Sequence, residues 1–157
     1  MLTEAENLTR IEPATIEDLD ELVDLLTVLF GEEADFQPDP RKQETGLRLI
    51  LEQPSRGRIF VVRNDNAIFG MVSLLFSIST AAGGFALNME DVIIHPEHRH
   101  QGYGTQLMEH VFDFARKKDF TRITLLTDKM SAESQSFFRK HGFEHSEMIP
   151  MRKMLSS

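Results

Sequence analysis

The sequence predicts one α/β domain spanning residues 1–157, and three observations carry that reading. Segments that alternate with period two interleave with segments whose apolar residues recur at helical spacing. From residue 85 to residue 127 the order is strand, glycine loop, helix, strand, which is the pattern of a βαβ crossover between parallel neighbours. A chain of 157 residues with 41% hydrophobic content buries one core and has little room for a second.

The elements follow in order. "LTRIEPA" at 8–14 alternates and reads as the first strand. "TIEDLDELVDLLTVLF" sets Leu19, Leu22, Val23, Leu26, Leu29 and Phe30 at helical spacing, with Thr15 as N-cap and Gly31 as the stop. The loop "EEADFQPDP" carries two prolines, and "RKQETGLRLILEQP" is a shorter helix that ends before Pro54. "GRIFVVRNDNAIFGMVSLLFSIST" is a hairpin whose arms meet at "NDN", and "AAGG" leads on to the strand "FALNMEDVIIHP". From Gly104 onward, Leu107, Met108, Val111, Phe112 and Ala115 form one apolar stripe, and "FTRITLLT" returns as a strand parallel to its predecessor. A last helix, "SAESQSFFRKH", ends at Gly142, and "FEHSEMIPMRKML" supplies one or two closing strands.

Composition removes several function classes. Cysteine is absent, which excludes disulfides, thiolate metal sites and cysteine nucleophiles. The formal charge of −8 opposes a nucleic-acid backbone and favours cationic partners. No run of about 18 apolar residues and no leader pattern appears, so the expectation is no membrane partner and a cytoplasmic location.

The stretch "EHRHQGYGTQL" at 97–107 puts two glycines at the start of a helix. Helix N-termini expose unpaired N–H groups and partial positive charge, so bare backbone there suits an anion. A dinucleotide fingerprint would need a third glycine where Leu107 stands, and the 29 residues after Asp128 are too few for the rest of such a fold. A P-loop would need a Lys followed by Ser or Thr, and neither closes this loop. His95, His98 and His100 lie within six residues but lack carboxylate or cysteine partners, so no metal is expected.

"RHQGYG" fits the pattern Q/R-x-x-G-x-G/A, with Arg99, Gly102 and Gly104 in the defining places, and it resembles the GNAT family of N-acetyltransferases. The preceding "MEDVIIHPEHR" looks like that family's fourth strand, and "FFRKHGF" looks like its penultimate helix. The resemblance implies a mixed, mostly antiparallel sheet with a central parallel βαβ splay, and acetyl-CoA as cosubstrate without a metal. It implies an N-acetyltransferase that moves the acetyl group to a primary amine by direct attack in a ternary complex. A coenzyme-A-binding regulatory module with little turnover, or a protein N-terminal or lysine acetyltransferase, are the alternatives. The amine acceptor, small molecule or peptide, is left unread, as is a homodimer.

Main-chain N–H groups of Gln101, Gly102, Tyr103, Gly104 and Thr105, in a loop that also holds His100, would face the pyrophosphate, with Arg99 adding charge. By family analogy the pantetheine arm would pair with main chain of Val92 and Ile94 in the splay, and an N–H near Ile93 or Ile94 would serve the developing oxyanion. An acceptor ammonium must lose a proton before it attacks. Glu90 and Asp91 lie on the adjoining strand; Glu90 is the favoured base and Asp91 the alternative. Simple alternation sets Glu90 with Asn88 and Val92, and Asp91 opposite with Leu87 and Met89, but a bulge would reverse facing beyond it. Phe138 stands where many family members carry a tyrosine acid, so that hydroxyl is lacking. Ser131 and Ser134 begin the last helix, with Ser131 read first as its cap and second as a pantetheine contact.

Overall fold

A computed structural model describes residues 8–33, 35–65 and 67–156. Strand β1 (Arg10–Pro13) leads through a single 3₁₀ turn (Ile16–Asp18) into helix α1 (Leu19–Glu32), which is followed by α2 (Pro40–Leu51). Strands β2 (Gly57–Arg63), β3 (Ile68–Ser79) and β4 (Gly84–Ile94) then form an antiparallel meander. Helix α3 (Tyr103–Lys117) carries the chain to β5 (Ile123–Leu125), and α4 (Ala132–Lys140) follows. The sheet order is β1-β2-β3-β4-β5; every neighbouring pair is antiparallel except β4 and β5.

Alternation along β2 explains the layering. Ile59 and Val61 point to one face, where they join Leu19, Leu22, Leu26 and Leu47 of α1 and α2 in a buried core with Met71 and Ile93. Phe60 points to the other face and meets α3, its ring 4.6 Å from His110 and 5.3 Å from Phe114. Leu107, Met108 and Val111 of the predicted α3 stripe are fully buried. Gln43 joins the two leading helices, donating to the Val23 carbonyl and the Thr27 hydroxyl at 3.0 Å each. Arg63 grips Asp18 through two nitrogens at 2.9 and 2.7 Å, which fastens the entry of α1 to β2.

The chain packs as two compact units, one reaching to Leu126 and the other from Thr127 onward. The single domain expected over 1–157 is an expectation that this division leaves open. Within the second unit α4 begins at a Ser131 cap that accepts from the Ser134 N–H at 3.2 Å, and it ends before Gly142 at φ +91°.

Four details depart from the sequence reading. Thr15 starts the 3₁₀ turn, one turn ahead of α1, where its N–H donates to Asp18 at 2.9 Å. Gly31 does not stop α1, which runs on to Glu32 because a glycine near a helix end costs little. The closing strands expected over 143–155 do not form: residues 143–156 carry no strand, and Met148, Ile149, Met151 and Leu155 are exposed. Pro150 interrupts the alternation there and removes a ladder donor. Without those strands the parallel pair lies at an edge of the sheet and not at its centre, among the described residues.

Candidate functional site

The pairing of β3 with β4 is regular from Ser79↔Gly84 to Ser73↔Glu90 and resumes at Met71↔Ile93. Val72 therefore stands opposite two residues, Asp91 and Val92, and the extra one makes a β-bulge. Asp91 absorbs the irregularity in a left-handed conformation, φ +54°, which Asp tolerates better than most side chains. Directly paired residues share a face, so Glu90 lies with Ser73 on the side of the sheet that α1 and α2 cover. Simple alternation would send Asp91 to the opposite side, with Leu87 and Met89. The bulge instead leaves its carboxyl beside the Ser73 hydroxyl.

Two consecutive carboxylates and a hydroxyl are thereby gathered, and their environments differ. Glu90 is exposed, whereas Asp91 is half-buried. Burial raises the Asp91 pKa from 3.8 to about 6; Ser73 draws it back and the neighbouring Glu90 charge pushes it further up. The Ser73 hydroxyl is 1% exposed and has no partner of full hydrogen-bonding geometry. Sequence reasoning passed over Ser73, whose only signal is a lone hydroxyl in the apolar run "MVSLLF".

Beyond the bulge, β4 loses its neighbour. Its parallel pairing with β5 covers Leu87↔Ile123, Asn88↔Thr124 and Met89↔Leu125 and then stops. From Glu90 to Ile94 no strand among the described residues pairs with that edge, where the Ile94 carbonyl is instead bonded to the Arg99 guanidinium at 2.8 Å.

The loop after β4 turns through Pro96–His98 and reaches α3 by way of two left-handed residues, His100 at φ +63° and Gly102 at φ +87°. Gly102 is the helix N-cap and lacks a capping side chain. The Gln106 N–H is bonded to the Gly102 carbonyl at 3.1 Å, which leaves the amides of Tyr103 and Gly104 ahead of the helical ladder. Gly102 is required by its backbone conformation. Gly104 is not: it is helical, without positive φ, at a place where glycine is a poor helix former.

Arg99 is tied back to the protein, its Nε donating to the Ile94 carbonyl at 2.8 Å and its Nη2 3.0 Å from Glu32. Its charge is already balanced, so the loop's attraction for an anion rests on main-chain amides. His98 stacks on Phe69 at 4.2 Å, with Tyr103 edge-on to the same ring at 4.9 Å. His95 accepts from the Glu97 N–H at 3.2 Å, and Gln101 makes a long 3.5 Å contact to the Glu97 carbonyl. Among the described residues no group of three His, Asp or Glu side chains gathers as a metal site, and no helix is long and apolar enough to cross a membrane.

In the second unit, Ser131 and Ser134 are bonded to each other at 3.0 Å, and the capping reading of Ser131 holds. Phe138 packs its ring on Phe137 at 5.3 Å and on Phe143 at 5.8 Å.

A bulged strand whose far edge carries no strand neighbour among the described residues, delivering its chain into a glycine loop at a helix start, is the α/β arrangement of an acyltransferase fold. The chain belongs to the acetyltransferase (GNAT) family, whose model matches residues 19–143. It is 25% identical over 150 residues to an amino-acid acetyltransferase of Shewanella oneidensis, a match that covers 94% of this chain and 30% of that protein. The chain thus spans about a third of the length of the curated relative. A possible acetyltransferase from Clostridium difficile shares the fold with a TM-score of 0.85, at 16% identity over 96% of this chain and 99% of that one. An aminoglycoside acetyltransferase from a soil metagenomic sample, solved with sisomicin, has a TM-score of 0.76 at 19% identity over 96% and 99%.

Proposed function

We propose that this protein is an acetyl-CoA-dependent N-acetyltransferase acting on a primary amine in a direct ternary complex. The observation that carries the reading is the edge of β4 that has no strand neighbour beyond Met89 among the described residues, followed along the chain by the glycine-led helix start at Gly102 and Gly104. Two independent features there fit one elongated, phosphorylated molecule. The amides of Gln101 to Thr105 would hold its pyrophosphate, and main chain of Val92 together with the Ile94 N–H would pair with its amide-bearing arm. Acetyl-CoA supplies an acetyl thioester, whose carbonyl carbon exchanges its bond to sulfur for one to the acceptor nitrogen.

Asp91 is the better placed base. Before attack the acceptor ammonium must give up a proton, and a carboxylate of pKa about 6 is a stronger acceptor than an ordinary one while still ionised at neutral pH. The left-handed turn at Asp91 brings its carboxyl beside the Ser73 hydroxyl. An N–H at Ile93 or Ile94 remains the proposed donor to the acetyl carbonyl oxygen. Ser131 is occupied in capping, and Phe138 offers no proton, so the leaving thiolate takes its proton from water. The names of similar proteins point to varied acceptors, amino acids for one and aminoglycosides for another.

The test is thiol release from acetyl-CoA across a panel of amino acids, aminoglycosides, simple amines and lysine peptides. Thiol release that depends on one amine class supports the reading. Stoichiometric coenzyme binding without release by any acceptor would mean a binding module instead.

A further inference from the structure

We infer that Phe69 is a positioning residue for the coenzyme loop: its ring holds both ends of the turn that carries the anion-binding amides, so the turn is shaped before any coenzyme arrives. The inference rests on the proposed reading of that loop as the coenzyme site. It adds a residue from another strand on which the site depends.

Phe69 is the second residue of β3 and is 2% exposed. It meets the loop at three places. Its carbonyl accepts the His95 N–H at 2.7 Å, where the chain leaves β4. Its ring lies nearly flat against the His98 ring, 4.2 Å between centroids and 13° between planes, and meets the Tyr103 ring at 4.9 Å and 65°. One buried ring thus secures the last residue of the Pro96–His98 turn and the first residue of α3.

Between those two contacts lie the left-handed His100 and Gly102, at φ +63° and +87°. A non-glycine residue keeps such a backbone only where its surroundings hold it. Arg99, tied to the Ile94 carbonyl and to Glu32, secures the start of this stretch, and Tyr103 on Phe69 secures its end. The imidazole of His98 serves as an aromatic plate. Its Nδ1 is enclosed and has no hydrogen-bond partner, so that nitrogen adds no bond to the loop and the stack is what the ring contributes. A turn held in this way loses little freedom when an anion settles on its amides, whereas a loosened turn must be ordered by the anion itself. Ordering the backbone of one residue on binding weakens affinity by about tenfold.

The experiment removes the stack and then restores it. Calorimetry gives coenzyme A affinity, and amide NMR relaxation without coenzyme gives the backbone order of residues 101–105, for the parent, His98→Ala, His98→Phe, Phe69→Leu and the double variant Phe69→Leu/His98→Ala. His98→Ala should bind about tenfold more weakly and show lower order at 101–105. In steady-state thiol release its loss should fall on the KM for acetyl-CoA and leave the KM for the amine. His98→Phe, which keeps a flat ring on Phe69, should bind as the parent does. Phe69→Leu should lose at least as much as His98→Ala, and adding His98→Ala to it should lose no more, because the stack is already gone. If Phe69→Leu fails to fold, the two His98 variants carry the comparison. A lower Tm in His98→Ala with unchanged affinity and unchanged loop order would make the rings structural only and overturn the inference. So would His98→Phe binding as weakly as His98→Ala, which would make an imidazole nitrogen a direct contact to the anion. Lower order at 101–105 in His98→Ala, with no coenzyme A bound even by the parent, would sustain the role of Phe69 and sink the coenzyme reading.

Discussion

Replacing Asp91 by asparagine should make the protein more stable and nearly inactive, and both effects come from the same burial. Asn accepts the left-handed backbone at φ +54° and keeps the shape of the side chain, so the fold should tolerate the change. Below about pH 4 the Asp91 carboxyl is protonated in folded and unfolded chains alike and contributes nothing. Between pH 3.8 and about 6 the folded chain keeps a proton that the unfolded chain has lost, so its stability falls as pH rises through that window. Above about pH 6 both forms are ionised and the full cost stands. That raised pKa has a ceiling of ~3 kcal/mol at 1.36 kcal/mol per pH unit. Partial exposure of the carboxyl brings the expected value down to ~1–2 kcal/mol. For a chain of this length, that is about 2–8 °C in Tm. Thermal melts of both proteins at pH 4 and pH 8 isolate the effect, since every other carboxylate is common to the pair. Asp91→Asn should melt higher at pH 8 and level with the parent at pH 4, while thiol release drops by about 10² to 10⁴. A melting difference that is the same at both pH values would refute the burial argument, and full activity in the variant would refute the base assignment.

Three further outcomes are expected. Gly104→Val should fold, because the position is helical, yet lose coenzyme A affinity in calorimetry; wild-type affinity would move the anion elsewhere. Asp18→Ala should cost about 1.5–3 kcal/mol in urea unfolding by removing the carboxylate that two Arg63 nitrogens share, with Glu12 at 2.8 Å left as its remaining ion-pair partner. Arg63 holds the Asp18 pKa below its ordinary value, so this ion pair supports the parent protein above the usual carboxylate range and fades as pH falls through the lowered pKa. Ser131→Ala should cost about 1 kcal/mol through the lost cap while leaving coenzyme A affinity unchanged; a large loss of affinity would show that Ser131 also touches the coenzyme.

Legibility in the sequence varied with the kind of signal. The helices and the meander were read well because Leu19, Leu22 and Leu26, or Ile59 and Val61 against Phe60, repeat a period that burial enforces. The glycine loop was legible because Gly102 performs a conformational task that few other residues can. The bulge was foreseen as a kind of event but not located. One extra residue in "NMEDVII" leaves composition and propensity unchanged, and only the pairing with β3 reveals it. Ser73 escaped notice for the same reason: its meaning comes from the residue across the strand. The ion pair of Arg99 with Glu32 joins positions far apart in sequence, and no local pattern announces it. In the tail, apolar residues at 148–155 suggest strands, but with Pro150 among them and no paired neighbour they form none and are exposed.

The neutralised Arg99 has a kinetic consequence for the proposed coenzyme. Long-range attraction of a polyanion needs uncompensated positive charge around its destination, and the one guanidinium in this loop faces Glu32 on a chain of formal charge −8. Main-chain dipoles act only at contact. An approaching polyphosphate therefore meets a repulsive field once it comes within about a Debye length, ~10 Å at 0.1 M salt. Added salt shrinks that field and quickens association, the reverse of the slowing shown by proteins that draw phosphates in with lysines. Dissociation, governed by short contacts at Gly102 to Thr105, responds far less, so affinity itself rises with ionic strength.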